Sequence, residues 1–297
     1  MDTSAATLPI DHADGLKMDA AEARSLGQLL HDEYVRATPF PHIVIDGILP
    51  DGLVRKVLEH FPAVPLPSDT NFEIGYAGQH KRQILPEDCD AAMRELFHFF
   101  NSRPVLQFLE GLTGIEALLP DPYFAGGGFH EISRGGLLGI HADFRINEQL
   151  HLQRRLNMLI YLNPDWQDAW GGRLELWDRG MQRCERSVAP LINRCVVFNT
   201  DADTYHGHPD PLECPPDVKR RSIALYYYTS SRAIYREVPK LSTMYQARPS
   251  DAAEVQTEAR RLRGRQYLQD WAPPIAVRAI DKAVRAVGKV RSRLAGG

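Results

Sequence analysis

Between Pro120 and about Arg236 the chain reads as a series of short β segments separated by turns: GGGFHEI, LLGIHADF, RLNMLIYLN, GRLELWD, RCVVFN, ADTYHGH and RRSIALYYYT. Each is a run or alternation of apolar residues bounded by Gly, Pro, Asn or Asp, the residues that punctuate strands. Many short strands at fairly regular spacing bury their apolar faces by closing into a barrel or by packing two antiparallel sheets as a jelly roll. The expected class is therefore mainly β with flanking helices.

Before this region, AAEARSLGQLLHDEYVRA follows Asp19 with apolar residues at helical spacing. His42 to Ile45 form a short β run between Pro41 and Gly47, and DGLVRKVLEHF reads as an amphipathic helix with Asp51 as its expected cap. Residues 62–83, rich in Pro, Gly and polar side chains, read as a long loop of the kind that serves as a lid. Helices resume in DCDAAMRELFHFFNS and PVLQFLEGLTG. The tail, from about Leu241, returns to helix, with Val277, Ile280, Val284, Val287 and Leu294 on one stripe among basic residues. These boundaries divide the chain into an N-terminal extension and helix-rich support (1–118), a β core (119–236) and a C-terminal helical tail (237–297). The tail is expected to dock on the barrel or to form a homodimer contact.

The second copy of a repeated tripeptide carries the chemistry. His-Ala-Asp occurs at His12–Asp14, in a polar segment with no strand pattern, and again at His141–Asp143, where Gly135, Gly136, Leu137, Leu138 and Ile140 lead into it as a turn entering a strand. On a strand, residues i and i+2 share a face, so His141 and Asp143 converge on one ion. His206 follows Asp143 by 63 positions, and Arg220 follows His206 by 14. Two imidazoles and one carboxylate form the facial triad that holds non-heme Fe(II) and leaves coordination positions open. A permanently charged arginine on an inward-facing strand suits a bidentate grip on a dicarboxylate.

Composition excludes other classes. A chain of 297 residues with 43% hydrophobic and 25% charged residues is ordinary for a globular protein. The net charge of −3 gives no reason to expect nucleic acid as a partner. No stretch approaches the roughly 20 apolar residues of a membrane span. The start at Met1, Asp2, Thr3 lacks the features of a signal peptide, and Cys89, Cys184, Cys195 and Cys214 are scattered without C-x-x-C spacing. Reduced thiols and a cytoplasmic location are the corresponding expectations.

These residues resemble the 2-oxoglutarate/Fe(II) dioxygenase superfamily, and within it the prolyl-4-hydroxylase-like branch. RRLNMLIYLNPDW followed by GGRLELWD is similar to the family's arginine-led strand, its Tyr-Leu-Asn end and its Gly-Gly hairpin. The resemblance implies a double-stranded β-helix core (jelly-roll, cupin-like), with Fe(II), 2-oxoglutarate as co-substrate, dioxygen, and ascorbate as a stimulant. It implies iron ligation by His141, Asp143 and His206. His208, on the same face, competes for the distal position, but His206 with Pro209 and Pro211 better matches the family's histidine. The family's R-x-S pattern selects Arg220 with Ser222 over Arg221 for the distal carboxylate of 2-oxoglutarate. Tyr161 matches the tyrosine that reaches the same carboxylate, and Asn157 shares its face. His130 and His208 remain as pocket candidates for substrate. Arg154 and Arg155 open their strand, with positioning or surface charge as their expected roles. A carboxylate ligand implies hydroxylation; halogenating relatives lack it. The substrate is expected to be a small amino acid or metabolite, with a prolyl residue of a peptide or protein as the alternative. The rival class is a cupin-like, non-redox metal-binding protein or hydrolase holding zinc.

Overall fold

A computed structural model describes residues 4–230 and 243–271 of the chain. The stripe expected from Val277 to Leu294 lies outside these residues. In chain order the elements are β1 (Ser4–Ala5), α1 (Ala20–Arg36), β2 (His42–Asp46), α2 (Asp51–His60), β3 (Thr70–Phe72), β4 (Gln79–Ile84), α3 (Ala91–Phe100) and α4 (Arg103–Thr113). Then follow β5 (Leu119–Pro120), β6 (Gly128–Ala142), β7 (Ile146–Asn147), β8 (Leu152–Tyr161), β9 (Leu174–Trp177), β10 (Cys184–Val188), β11 (Arg194–Asn199), β12 (His206–His208) and β13 (Arg220–Thr229). Last come β14 (Met244–Tyr245) and the helix α5 (Ala253–Trp271).

The strands run β1-β2-β11-β8-β13-β6 and then β12-β9-β10, with β6 shared by both halves. Its first residues pair with β13 and its last with β12, so one long strand curls from one sheet into the other. All neighbours on this path are antiparallel except β1 and β2. This is the double-stranded β-helix.

Alternation decides what faces where. On β8, Leu156, Met158 and Ile160 join the core beneath the helices, while Leu159 and Tyr161 belong to the barrel interior. On β13, Ile223, Leu225 and Tyr227 face the helices, and Arg220, Ser222 and Tyr226 face the pocket. The helical layer is fixed by close contact of α1 with α4. A Cβ on Gly27 would lie 2.2 Å from the Phe108 carbonyl, and one on Gly111 would lie 2.3 Å from that of Arg24. Asp19 caps α1 by accepting from the Ala21 and Glu22 amides.

Four local expectations change. GGGFHEI and LLGIHADF are one strand, β6, because Gly135 and Gly136 bulge it rather than reverse it: Gln79 pairs with Leu137 while Lys81 pairs with Ile132. Residues 62–83 are not all loop, since β3 and β4 form a hairpin laid along β6. The β-sheet therefore takes in β2 and β4 from the N-terminal 118 residues. Asp51 is not the cap of α2: Pro50 occupies that position without a side-chain bond, and Asp51 is the first-turn acid. ADTYHGH is strand only at His206–His208, because Thr204 and Asp201 close a turn before it. All four cysteines are free thiols.

Candidate metal and co-substrate site

His141 lies one residue from the end of β6, and Asp143 lies just past that end. β12 runs alongside, pairing His206 directly with His141. The ligand atoms of His141, Asp143 and His206 all lie within 4.8 Å of one another, and this is the one such group among the described residues. His141 Nε2 is 3.6 Å from Asp143 Oδ1, and His206 Nε2 is 3.4 Å from Oδ2. The imidazoles are held by their other nitrogens: Nδ1 of His141 is 2.8 Å from the Gly139 carbonyl, and Nδ1 of His206 is 3.0 Å from that of Thr204. A carbonyl only accepts, so each Nδ1 carries the proton and each Nε2 lone pair is directed to the common centre. The first His-Ala-Asp copy, at His12–Asp14, is not part of this cluster.

Asp143 is held by two partners. Asn157 Nδ2 donates to Oδ2 at 2.8 Å, and Arg154 Nη2 approaches the same oxygen at 2.9 Å. Arg154 in turn donates to Asn157 Oδ1 through Nε and Nη2, at 3.0 and 2.7 Å. Burial alone would raise the Asp143 pKa, but Arg154, His206 and His141 outweigh it and keep the carboxyl well below its ordinary range. Burial likewise lowers His206 to about 4, against the pull of Asp143. The centre thus pairs an anionic Asp143 carboxylate with a neutral His206 imidazole, the protonation state that a divalent metal requires.

Arg154 is a residue whose full role alternation along the strand conceals. Taken strictly, a period of two puts it with Leu156 and Met158, toward the helices. In the structure Tyr227 pairs with Leu156 and Tyr228 with Arg154, so Arg155 is an extra residue in β8. That bulge turns Arg154 into the pocket, where it is buried against Tyr226, 3.5 Å from the ring centroid, and Phe144, at 4.7 Å.

Further into the barrel, Lys81, Ile132 and Arg220 form one inward row across β4, β6 and β13, and Gln83, His130, Ser222 and Tyr161 form the next, which continues onto β8. Arg220 is only 4% exposed, and burial pulls its pKa down. Its Nε donates to the Gly172 carbonyl at 2.8 Å and its Nη2 to the Tyr161 hydroxyl at 3.4 Å. Gly172 permits this approach, with φ +69° and a Cβ position that would lie 3.0 Å from Arg220 Cδ. Arg221 faces the other way, paired with Glu131 at 2.8 Å and stacked on Phe61. His208 stands outside the metal cluster, buried in the same pocket, with neither ring nitrogen hydrogen-bonded. Burial, then Arg220, holds it well below the usual histidine pKa. His130 is buried as well and tied through Nε2 to the Gly126 carbonyl at 2.9 Å.

These features test the fit of a metal and a dicarboxylate. Three converging donors with fixed tautomers suit one Fe(II). A buried arginine that makes no ion pair with a carboxylate among the described residues, beside a histidine with two orphaned nitrogens, suits an anionic, oxygen-rich ligand. The residues fit both groups.

Residues 127–228 match the family model of the 2OG-Fe(II) oxygenase superfamily. That segment, together with the cluster of His141, Asp143 and His206, marks the chain as an Fe(II)- and 2-oxoglutarate-dependent dioxygenase, with O2 as the third reactant. Its fold is similar to that of a Trichoplax adhaerens prolyl hydroxylase in complex with a hypoxia inducible factor peptide fragment: 16% identity, 70% of this chain and 91% of that one, TM-score 0.49. A Pseudomonas putida prolyl-4-hydroxylase matches at 18% identity over 69% of this chain and all of its own, TM-score 0.48. A Phytophthora capsici prolyl 4-hydroxylase matches at 19% over 96% and 94%, TM-score 0.48. No curated protein sequence matches the chain. Among the described residues, no helix is long and apolar enough to cross a membrane.

Proposed function

We propose that this dioxygenase hydroxylates a C–H bond of a small amino acid or metabolite, with iron on His141, Asp143 and His206. The observation that carries the reading is the carboxylate of Asp143, held by Arg154 and Asn157 so that it faces both imidazole Nε2 atoms. A carboxylate fixed in the coordination sphere favours oxygen insertion over halide transfer, because it fills the position that a halide would take. Arg220, with Tyr161 and Ser222 beside it, binds the distal carboxylate of 2-oxoglutarate, and His208 offers a neutral nitrogen in the same pocket. Asn157 acts through Asp143 as a positioning residue.

Bound iron supplies the oxidative chemistry that turns 2-oxoglutarate and O2 into succinate, CO2 and one oxygen atom for the substrate. The chain's own part is orientation and exclusion of water. Phe198 packs against His206 with ring centroids 4.6 Å apart, and Tyr245 covers His141 at 5.6 Å. The cavity of about 200 Å³ must also hold the co-substrate, so the reacting C–H enters from the mouth lined by the half-buried Phe72, Phe144, Thr243 and Tyr245. A space below the roughly 300–1,000 Å³ of most ligand pockets favours a small reacting group.

The test is succinate release by the full chain, with Fe(II), 2-oxoglutarate and O2 each omitted in turn, followed by a substrate screen read by mass for a gain of one oxygen atom. Release that requires all three supports the oxygenase chemistry, and oxygen gain on a small molecule supports the substrate class. Activity with zinc and without O2 would instead support the rival hydrolase.

A further inference from the structure

Among the described residues, three cations, Lys81, Arg154 and Arg220, line the pocket with a single carboxylate, Asp143. Arg154 is paired with that carboxylate, and Arg220 lies with Tyr161 at the co-substrate end. Lys81 is left over: it makes no ion pair or hydrogen bond among the described residues. The metal dication and the 2-oxoglutarate dianion cancel each other, so loading the site leaves the excess positive charge in place. Unpaired charge in a poorly solvated pocket is costly unless a counter-charge arrives.

The placement of Lys81 is built rather than incidental. Its neighbour Arg82 ties the strand down through Asp69 at 2.6 Å and Glu131 at 3.3 Å. Lys81 lies across β6 from Arg220, with Ile132 between them, so the two Cα atoms are about 10 Å apart at two strand spacings. Its Nζ lies 5.0 Å from the ring centroid of the half-buried Phe72. Arg220 is buried deeper. Burial lowers the Lys81 ammonium to about 8, with Asp143 opposing and Arg220 and Arg154 adding to the shift.

We infer that Lys81 is a substrate-recognition residue and that the substrate is a small organic anion, whose carboxylate or phosphate group pairs with the Lys81 ammonium beside Phe72. The inference rests on the oxygenase reading of the site and narrows its substrate class.

The experiment uses the full chain loaded with Zn(II) and 2-oxoglutarate, which cannot turn over. The probes are N-acyl amino acids, hydroxy acids and phosphate monoesters, each paired with its neutral amide, ester or parent alcohol. Ligand-observed NMR detects binding, and calorimetry measures the hits. Binding confined to the anionic members is expected, and the identity of the hits separates carboxylate from phosphate. Lys81→Met should weaken a hit by roughly tenfold or more while leaving the 2-oxoglutarate dissociation constant within about threefold, and Lys81→Arg should restore most of the loss. Equal binding of neutral members, no anion bound at all, or an equal weakening of 2-oxoglutarate by Lys81→Met overturns the inference. Oxygen-dependent succinate release by the unaltered Fe(II) protein reports separately on the oxygenase reading.

Discussion

Replacing Arg220 by alanine tests the co-substrate end of the site most directly. The guanidinium is 4% exposed, and its bonds to Gly172 and Tyr161 fix its plane while leaving Nη1 and part of Nη2 for a ligand. A carboxylate docked there accepts two charge-assisted hydrogen bonds, each worth about 1.5–3 kcal/mol. Losing both costs roughly 3–6 kcal/mol, or on the order of 10²–10⁴-fold in affinity. Anaerobic calorimetric titration of 2-oxoglutarate into Mn(II)-loaded protein measures this without turnover. Arg220→Lys keeps the charge but loses the forked contact and the Nε anchor on Gly172, so it should fall between, about tenfold weaker than the parent. Arg221→Ala removes a largely buried pair with Glu131 on the face turned away from the pocket and should change the constant less than about threefold. If Arg221→Ala is the worse variant, or Arg220→Ala stays within threefold of the parent, this end of the barrel does not hold the co-substrate.

Three further outcomes are expected. His206→Ala should lose stoichiometric metal by elemental analysis, whereas His208→Ala should keep its metal and bind 2-oxoglutarate more weakly; equal metal loss in both would undo the assignment of the distal ligand. Arg154→Met breaks a buried pair, which typically costs about 3–5 kcal/mol, so the metal-free protein should melt several degrees lower, and an unchanged midpoint would remove Arg154 from the support of Asp143. Gly27→Val forces a side chain into the Phe108 carbonyl, and such overpacking costs about 1–3 kcal/mol, visible as a lower urea midpoint with an unchanged metal content.

Much of the site was legible because it rests on local rules. A period of two separates Arg220 from Arg221 without any tertiary information, and His141 and Asp143, two positions apart, meet the same centre. The series of short β segments carries the β core for the same reason: each segment's alternation reports its own two faces. Helix α1 was equally readable, from Asp19 onward, through its cap and its apolar spacing.

What escaped depends on register and on contacts between distant segments. Residues 62–83 are polar and interrupted by Pro and Gly, so nothing local marks a hairpin there; β4 is a strand because β6 offers it an edge, and that pairing brings Lys81 into the row of Arg220. The bulge at Arg155 inverts the parity of β8, which is why Arg154, on the helix side by alternation, reaches Asp143. His206, preferred over His208 from the sequence, is also the residue that pairs with His141 and stands in its cluster. Sequence therefore determined which donors exist and, where no bulge intervenes, which face a strand turns inward, because those follow from the covalent period of the chain. Tertiary structure decided which strands adjoin and where a bulge shifts them, because those follow from hydrogen bonds between segments that the chain brings together only on folding.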